Sequence, residues 1–130
     1  MTTWTSADLT HFGDAQEVRI AGARPDGSLR KPVIVWAVRV GDDLYARSVN
    51  GPDAGWFRGA RATHRGQLGA GAMTIDVDFV DAVGDADDEI DAAYQRKYGR
   101  YPGPVASITG ATAHATTLRI VPRHTTKDSA

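Results

Sequence analysis

The sequence predicts one mainly-β domain, a small closed or partly closed barrel with helices packed outside it. Three observations carry this. The chain has 130 residues and a mass of 13.9 kDa, enough for one hydrophobic core and too little for two. Five to seven short segments of alternating or β-branched apolar residues follow one another across tight turns, as antiparallel strands in hairpin order do. Only two or three stretches have helical spacing, and none sits between strands in a βαβ unit.

The N-terminal stretch reads as a short helix capped by Thr5, with Asp8 at the third helical position, Trp4 placed against Leu9, and Gly13 at its end. Val18 and Ile20 alternate with Glu17 and Arg19 as a half-buried strand, and Arg24, Pro25, Asp26 and Gly27 supply the turn of a first hairpin. The return strand, Val33 to Val38, is apolar on both faces and β-branched, which predicts a central strand covered on both sides, with Pro32 marking its beginning. Gly41 to Asp43 make the next turn and Leu44 to Ser48 the next strand. A breaker-rich loop, Asn50 to Gly55, leads to a short helix capped by Asp53 or Gly55 that runs through Trp56, Phe57, Arg58 and Ala62.

A strand from Thr63 to Leu68 reaches a turn at Gly69, Ala70 and Gly71. Beyond it Ile75, Val77 and Phe79 alternate with Thr74, Asp76 and Asp78, which predicts one face in the core and one in water. From Asp85 to Tyr98 acids crowd the first turn, Arg96 and Lys97 the last, and Gly99 stands where a left-handed cap belongs. Tyr101 to Pro104 then turn the chain into a final strand region, Val105 to Ile108 and Thr116 to Val121. The domain is expected over 1–123, with a polar, fraying tail at 124–130.

Composition excludes several functions. There are no cysteines, so disulfide scaffolds, thiol catalysis and cysteine-held metals are absent. The four histidines, His11, His64, His114 and His124, have no paired metal-ligand spacing. No nucleophile elbow, phosphate loop or dinucleotide fingerprint occurs. A pI near 6.4 argues against nucleic acid as a partner. No apolar run approaches the roughly 18 residues of a membrane helix, and no signal peptide is visible, so a cytoplasmic protein is expected. The net charge of −1 hides an asymmetry: eight acids without a base lie between Asp76 and Asp91, whereas Arg24 to Arg65 carries a net +4. The basic segment draws an anion and the acidic one repels it.

Within that basic segment Gly22, Arg24, Gly27 and Arg30 lie at the turn, Pro32 to Val40 form the strand, and Ser48, Gly51, Asp53, Trp56 and Ala62 run through the loop and helix. This order resembles the small split-barrel proteins of the deazaflavin-dependent nitroreductase type, relatives of the FMN-binding pyridoxamine phosphate oxidase group, and bacterial relatives of unknown function. The chain departs from their pattern where Ala23 separates Gly22 from Arg24 and where Phe57, Arg58, Gly59 and Ala60 replace an Asn-Leu segment.

The resemblance implies a split β-barrel with peripheral helices, a homodimer, and a site for FMN or a deazaflavin coenzyme at the strand, loop and short helix. The positions matching that site are Arg30, Ser48 and Trp56, with Arg47, Arg58 and Arg61 as basic neighbours. The chemistry of these residue types agrees: an arginine fork and a serine hydroxyl suit phosphate, and a helix N-terminus adds partial positive charge. Two roles stay open for Trp56, lying against a flavin ring or plugging the core, and two for Tyr94, Tyr98 and Tyr101, lining a pocket or packing a helix stripe on the barrel. Arg58 and Arg61 equally fit a solvated pair on one helical face. In such a protein the cofactor carries hydride chemistry, so no catalytic residue is expected. The other class left open is a cofactor-free barrel that binds a small ligand or a protein.

Overall fold

In a computed structural model that describes residues 4–123, Thr5 opens helix α1 (Ser6–Asp14) by accepting the Asp8 N–H on its hydroxyl at 3.1 Å. The remaining elements are β1 (Val18–Gly22), β2 (Val33–Val35), β3 (Ala37–Val40), β4 (Asp43–Ala46), α2 (Gly55–Thr63), β5 (Arg65–Ala70), β6 (Met73–Asp81), α3 (Asp87–Tyr98), α4 (Pro102–Ile108), α5 (Ala111–His114) and β7 (Leu118–Pro122). The expected tail at 124–130 lies outside the described residues.

All seven strands pair antiparallel in the order β2-β1-β5-β6-β7-β4-β3. The two outermost, β2 and β3, are separated in sequence by Trp36 alone. One strand therefore leaves one edge of the sheet and joins the other, which brings the edges together and makes the sheet a split barrel. The backbone groups released at this break are met by α3: Tyr94 Oη donates to the Trp36 carbonyl at 3.0 Å, while Lys97 Nζ at 2.7 Å and Tyr98 Oη at 3.3 Å donate to that of Ala37. Burial pushes the Tyr94 and Tyr98 hydroxyls above the ordinary tyrosine range and lowers the Lys97 amine to about 8.

The barrel interior holds Phe12, Val18, Ile20, Leu44, Leu68, Val77, Phe79, Leu118 and Ile120. A second core outside it joins Val38 and Tyr45 to Ile90, Tyr94 and Tyr98 of α3 and to Ile108 of α4. Tyr94 and Tyr98 are thus the packed stripe of their helix, with the Tyr98 ring stacked on Trp36 at 4.0 Å. Val77 and Phe79 point inward as their alternation predicts, while Asp76 is exposed.

Several expectations are corrected. The run from Val33 to Val38 is not one strand covered on both faces: it breaks at Trp36, and Val33 and Ile34 are exposed because β2 is an outer strand paired only with β1. Val105 to Ile108 are helical, since Pro102 and Pro104 occupy the first turn of α4, where a missing N–H costs nothing. Gly99 has φ −58°, because the chain turns right-handed through the Tyr101 N–H to Tyr98 carbonyl bond and runs straight into α4. Neither Asp53 nor Gly55 caps α2; Ala54 takes that position without a side-chain bond. Gly69 and Ala70 belong to β5, so the turn falls at Gly71, where φ is +58°. Five helices occur among the described residues, two more than the upper expectation, because α4 and α5 fill the segment read as strand and loop.

Candidate functional site

Where the strand breaks, β2 leans away from the loop after β4 and leaves a cavity of about 330 Å³. Its walls are apolar: Val33, Ile34 and Val35 of β2, Val49 of the loop, and Pro104 and Ile108 of α4. Trp36 and Trp56 add two indoles, and the polar lining is Glu17, Arg47 and Asn50. Largely apolar walls with a few polar groups are the usual form of a small-molecule site, and this volume is at the lower end of their range of about 300–1,000 Å³. A second hollow of about 520 Å³ beside Trp4 and Pro122 sets Asp42 and Asp43 near Arg119 and contains none of the residues expected at a site.

Arg47 is fully buried; protein holds its Nε and Nη1, while Nη2 has no hydrogen-bond partner among the described residues. Nε donates to Thr117 Oγ1 at 2.9 Å, and Nη1 to Asp91 and, at 3.2 Å, to the Ile108 carbonyl. Nη2 stands 3.5 Å from Asp87. Asp87 and Asp91 are four apart, hence on one face of α3, and His114 of α5 faces both from the other side, at 2.9 Å from Asp91 and 3.8 Å from Asp87. A buried guanidinium needs such partners. This cluster ties β4, α3, α4 and α5 into one wall of the cavity, and it neutralises the charge of Arg47.

Ser48 is buried beside it; its N–H donates to Thr116 Oγ1 at 2.8 Å, while its own Oγ has no partner among the described residues. Gly51, with φ +84°, then turns the loop so closely that a Cβ there would meet Thr112 Cγ2 at 2.8 Å. Arg30 crosses α2 at Gly59, where a Cβ would lie 2.6 Å from its Cδ. Its buried Nε is also without a partner. Gly59 lies one turn along α2 from Trp56, but Arg30 itself is not part of the cavity lining.

Of the six expected site residues, Arg47 and Trp56 line one cavity, whereas Ser48, the neighbour of Arg47 in the chain, and Arg30, which packs on Gly59 of α2, are not part of its lining. Arg58 and Arg61 are exposed and outside the lining, and Arg61 pairs with Asp81 at 3.3 Å over the Phe57 ring. Sequence reasoning included the loop that carries Val49 and Asn50 but missed Glu17, Trp36, Pro104 and Ile108. One signal was present for Trp36, a bulky aromatic interrupting a β-branched run, whereas α4 was misread as strand. The Asp87 and Asp91 spacing was likewise a signal for the clamp on Arg47. No described histidine lines the cavity, and among the described residues no three acids or histidines gather as a metal site.

Solved structures share the architecture. HutZ, the heme storage protein from Vibrio cholerae, aligns with a TM-score of 0.67 at 10% identity over 92% of this chain and 91% of its own. An F420 reductase aligns at 0.52 and 21% identity over 89% and 91%, and an FAD-binding protein from Mesorhizobium loti at 0.52 and 17% over 92% and 89%. These likenesses establish the split-barrel fold. No curated protein matches the sequence significantly. The profile of a family described as "Uncharacterized protein conserved in bacteria (DUF2255)" matches residues 8–120.

Proposed function

The chain belongs to the bacterial family DUF2255, and from the geometry of its cavity we propose that it binds a planar aromatic cofactor of the flavin or deazaflavin class and serves as an oxidoreductase. The observation that supports this most is the pairing of Trp36 and Trp56 in one apolar cavity; the unpartnered Nε of Arg30 lies outside its lining, against Gly59 of α2. The aliphatic walls and the two indoles would hold its ring system, and stacking of this kind is worth about 0.5–1.5 kcal/mol beyond burial. Arg30 and the Ser48 loop would hold an anionic tail, with Arg58 on α2 as a further cation. Arg30 Nε and Ser48 Oγ, two of the four side-chain atoms buried without partners among the described residues, fit such a tail, since each costs free energy until an acceptor or donor arrives. Arg47 and Arg61 act indirectly here, Arg47 as a fixed wall and Arg61 through its pair with Asp81.

When bound, a cofactor of this class supplies hydride transfer; the chain's own residues bind it, orient it and exclude water. Titration with FMN and with the deazaflavin coenzyme tests the reading. Losing a charged hydrogen bond costs about 1.5–3 kcal/mol, so Arg30→Ala binds roughly ten- to a hundredfold more weakly. Arg30→Lys recovers part of the loss, because it keeps charge but not the fork. Arg65→Ala, an exposed change on β5, binds as wild type. Equal affinity in wild type and Arg30→Ala contradicts the assignment.

The second reading is a cofactor-free module for a small uncharged ligand. It draws support from Glu17 at the cavity and from the neutralisation of Arg47 by Asp87 and Asp91. Leu29, Val33, Ile34 and Val49 are exposed aliphatics on or near the cavity rim. Under either reading a second copy of the chain covers them, which makes a homodimer with its sites at the interface.

A further inference from the structure

On the far side of α3 from the Arg47 cluster is a hollow of about 260 Å³, lined by Gly13, Asp14, Val38, Arg39, Arg96 and Lys97. At about 30 Å³ per water it has room for roughly eight waters, or one small organic acid. Lys97 is half-buried there, its Nζ held by the Ala37 carbonyl at 2.7 Å and set 5.0 Å from the Tyr98 ring centroid. We propose that Lys97 is a covalent site, at which its amine forms a reversible imine with a small aldehyde carrying a carboxylate, and Arg39 and Arg96 receive the carboxylate.

The charges around Nζ come from three elements. Asp14 ends α1, Arg39 stands on β3 and Arg96 precedes Lys97 on α3. Two cations against one carboxylate leave the hollow net positive besides the lysine, which favours an anionic reactant; Arg39 also donates from Nε to the Gly41 carbonyl at 2.8 Å, which leaves its Nη2 for a carboxylate. Burial brings the amine to about 8 despite the opposing pull of Asp14. About a quarter of it is unprotonated at pH 7.5, against about one in a thousand for an ordinary lysine. The neutral amine adds to the aldehyde carbon, forming the C–N bond as the carbonyl electron pair moves to oxygen. The oxygen then leaves as water with both amine hydrogens, so nothing is oxidised or reduced.

Only three lysines occur, Lys31, Lys97 and Lys127, and Lys31 is exposed, which provides a comparison within one molecule. Full-length protein is incubated at pH 7.5 with glyoxylate and cyanoborohydride, which traps the imine as a secondary amine, and modified peptides are quantified by mass spectrometry. The amine fractions predict that Lys97 is modified at least about tenfold faster than Lys31. Propionaldehyde, an uncharged probe, loses most of that preference, and Arg39→Ala with Arg96→Ala lowers the glyoxylate rate at Lys97 several-fold. Equal rates at Lys97 and Lys31 overturn the covalent site. Equal preference for the two aldehydes overturns the role of the arginines.

Discussion

Phe79 and Asp76 stand three positions apart on β6, one in the barrel interior and the other in water. Phe79→Ala is expected to cost about 3–5 kcal/mol through lost burial and the cavity it leaves, and Asp76→Ala less than about 1 kcal/mol, as chemical denaturation of the two variants measures. Lys97 makes a different prediction. Its folded amine titrates near 8 and its unfolded one near 10.5, so between those values the unfolded chain binds more protons and stability rises with pH. Above about 10 the trend reverses, because the unfolded chain ionises Tyr94 and Tyr98 while burial keeps them protonated in the fold. Unfolding followed from pH 7.5 to 10 shows that rise in wild type, and Lys97→Met flattens it. At this scale the sequence was readable where one residue's pattern decides its place, as for Val77, Phe79 and the Thr5 cap. It was silent on Arg47, whose partners Asp87, Asp91 and Thr117 are 40 to 70 positions away.

Among the elements, α2 is held against β1 by two glycines. A Cβ on Gly22 would meet the Gly59 carbonyl carbon at 2.9 Å and the Ala60 nitrogen at 3.0 Å, both of them backbone atoms that cannot swing aside. Gly22→Ala therefore destabilises by about 1–3 kcal/mol through overpacking, which shows as a lowered denaturation midpoint. Gly59→Ala instead meets the flexible Arg30 side chain, so the fold persists while Arg30 is displaced and cofactor affinity falls. Hairpin order, the turn at Gly27 and the helix rich in acids at its start were legible because their signals are local. The strand break at Trp36 was not, since an apolar run reads the same whether covered on both sides or crossing between sheet edges. Nor was α4, where two prolines mark a first helical turn as well as they mark a loop.

For the whole molecule, barrel closure explains why the site is where it is: the strand that joins the two sheet edges opens the cavity at the junction, between Trp36 and α2. Its rim is apolar, with Ile34 61% exposed. A two-fold homodimer is expected in solution, and light scattering at micromolar concentration should return twice the chain mass; a mass near 13.9 kDa would rule out a stable dimer. The fold class was legible from element order, whereas Pro104 and Ile108 of α4, which line the cavity, come long after the basic segment in sequence.

Binding of the coenzyme itself tests the proposed function most directly. Wild-type protein is titrated with FMN and, separately, with the deazaflavin coenzyme, while the fluorescence of Trp36 and Trp56 is recorded. Saturable quenching by at least one of them, weakened roughly ten- to a hundredfold in Arg30→Ala and reduced in amplitude in Trp56→Phe, is the expected result. Quenching by neither, or quenching that is linear in concentration and indifferent to both substitutions, contradicts it.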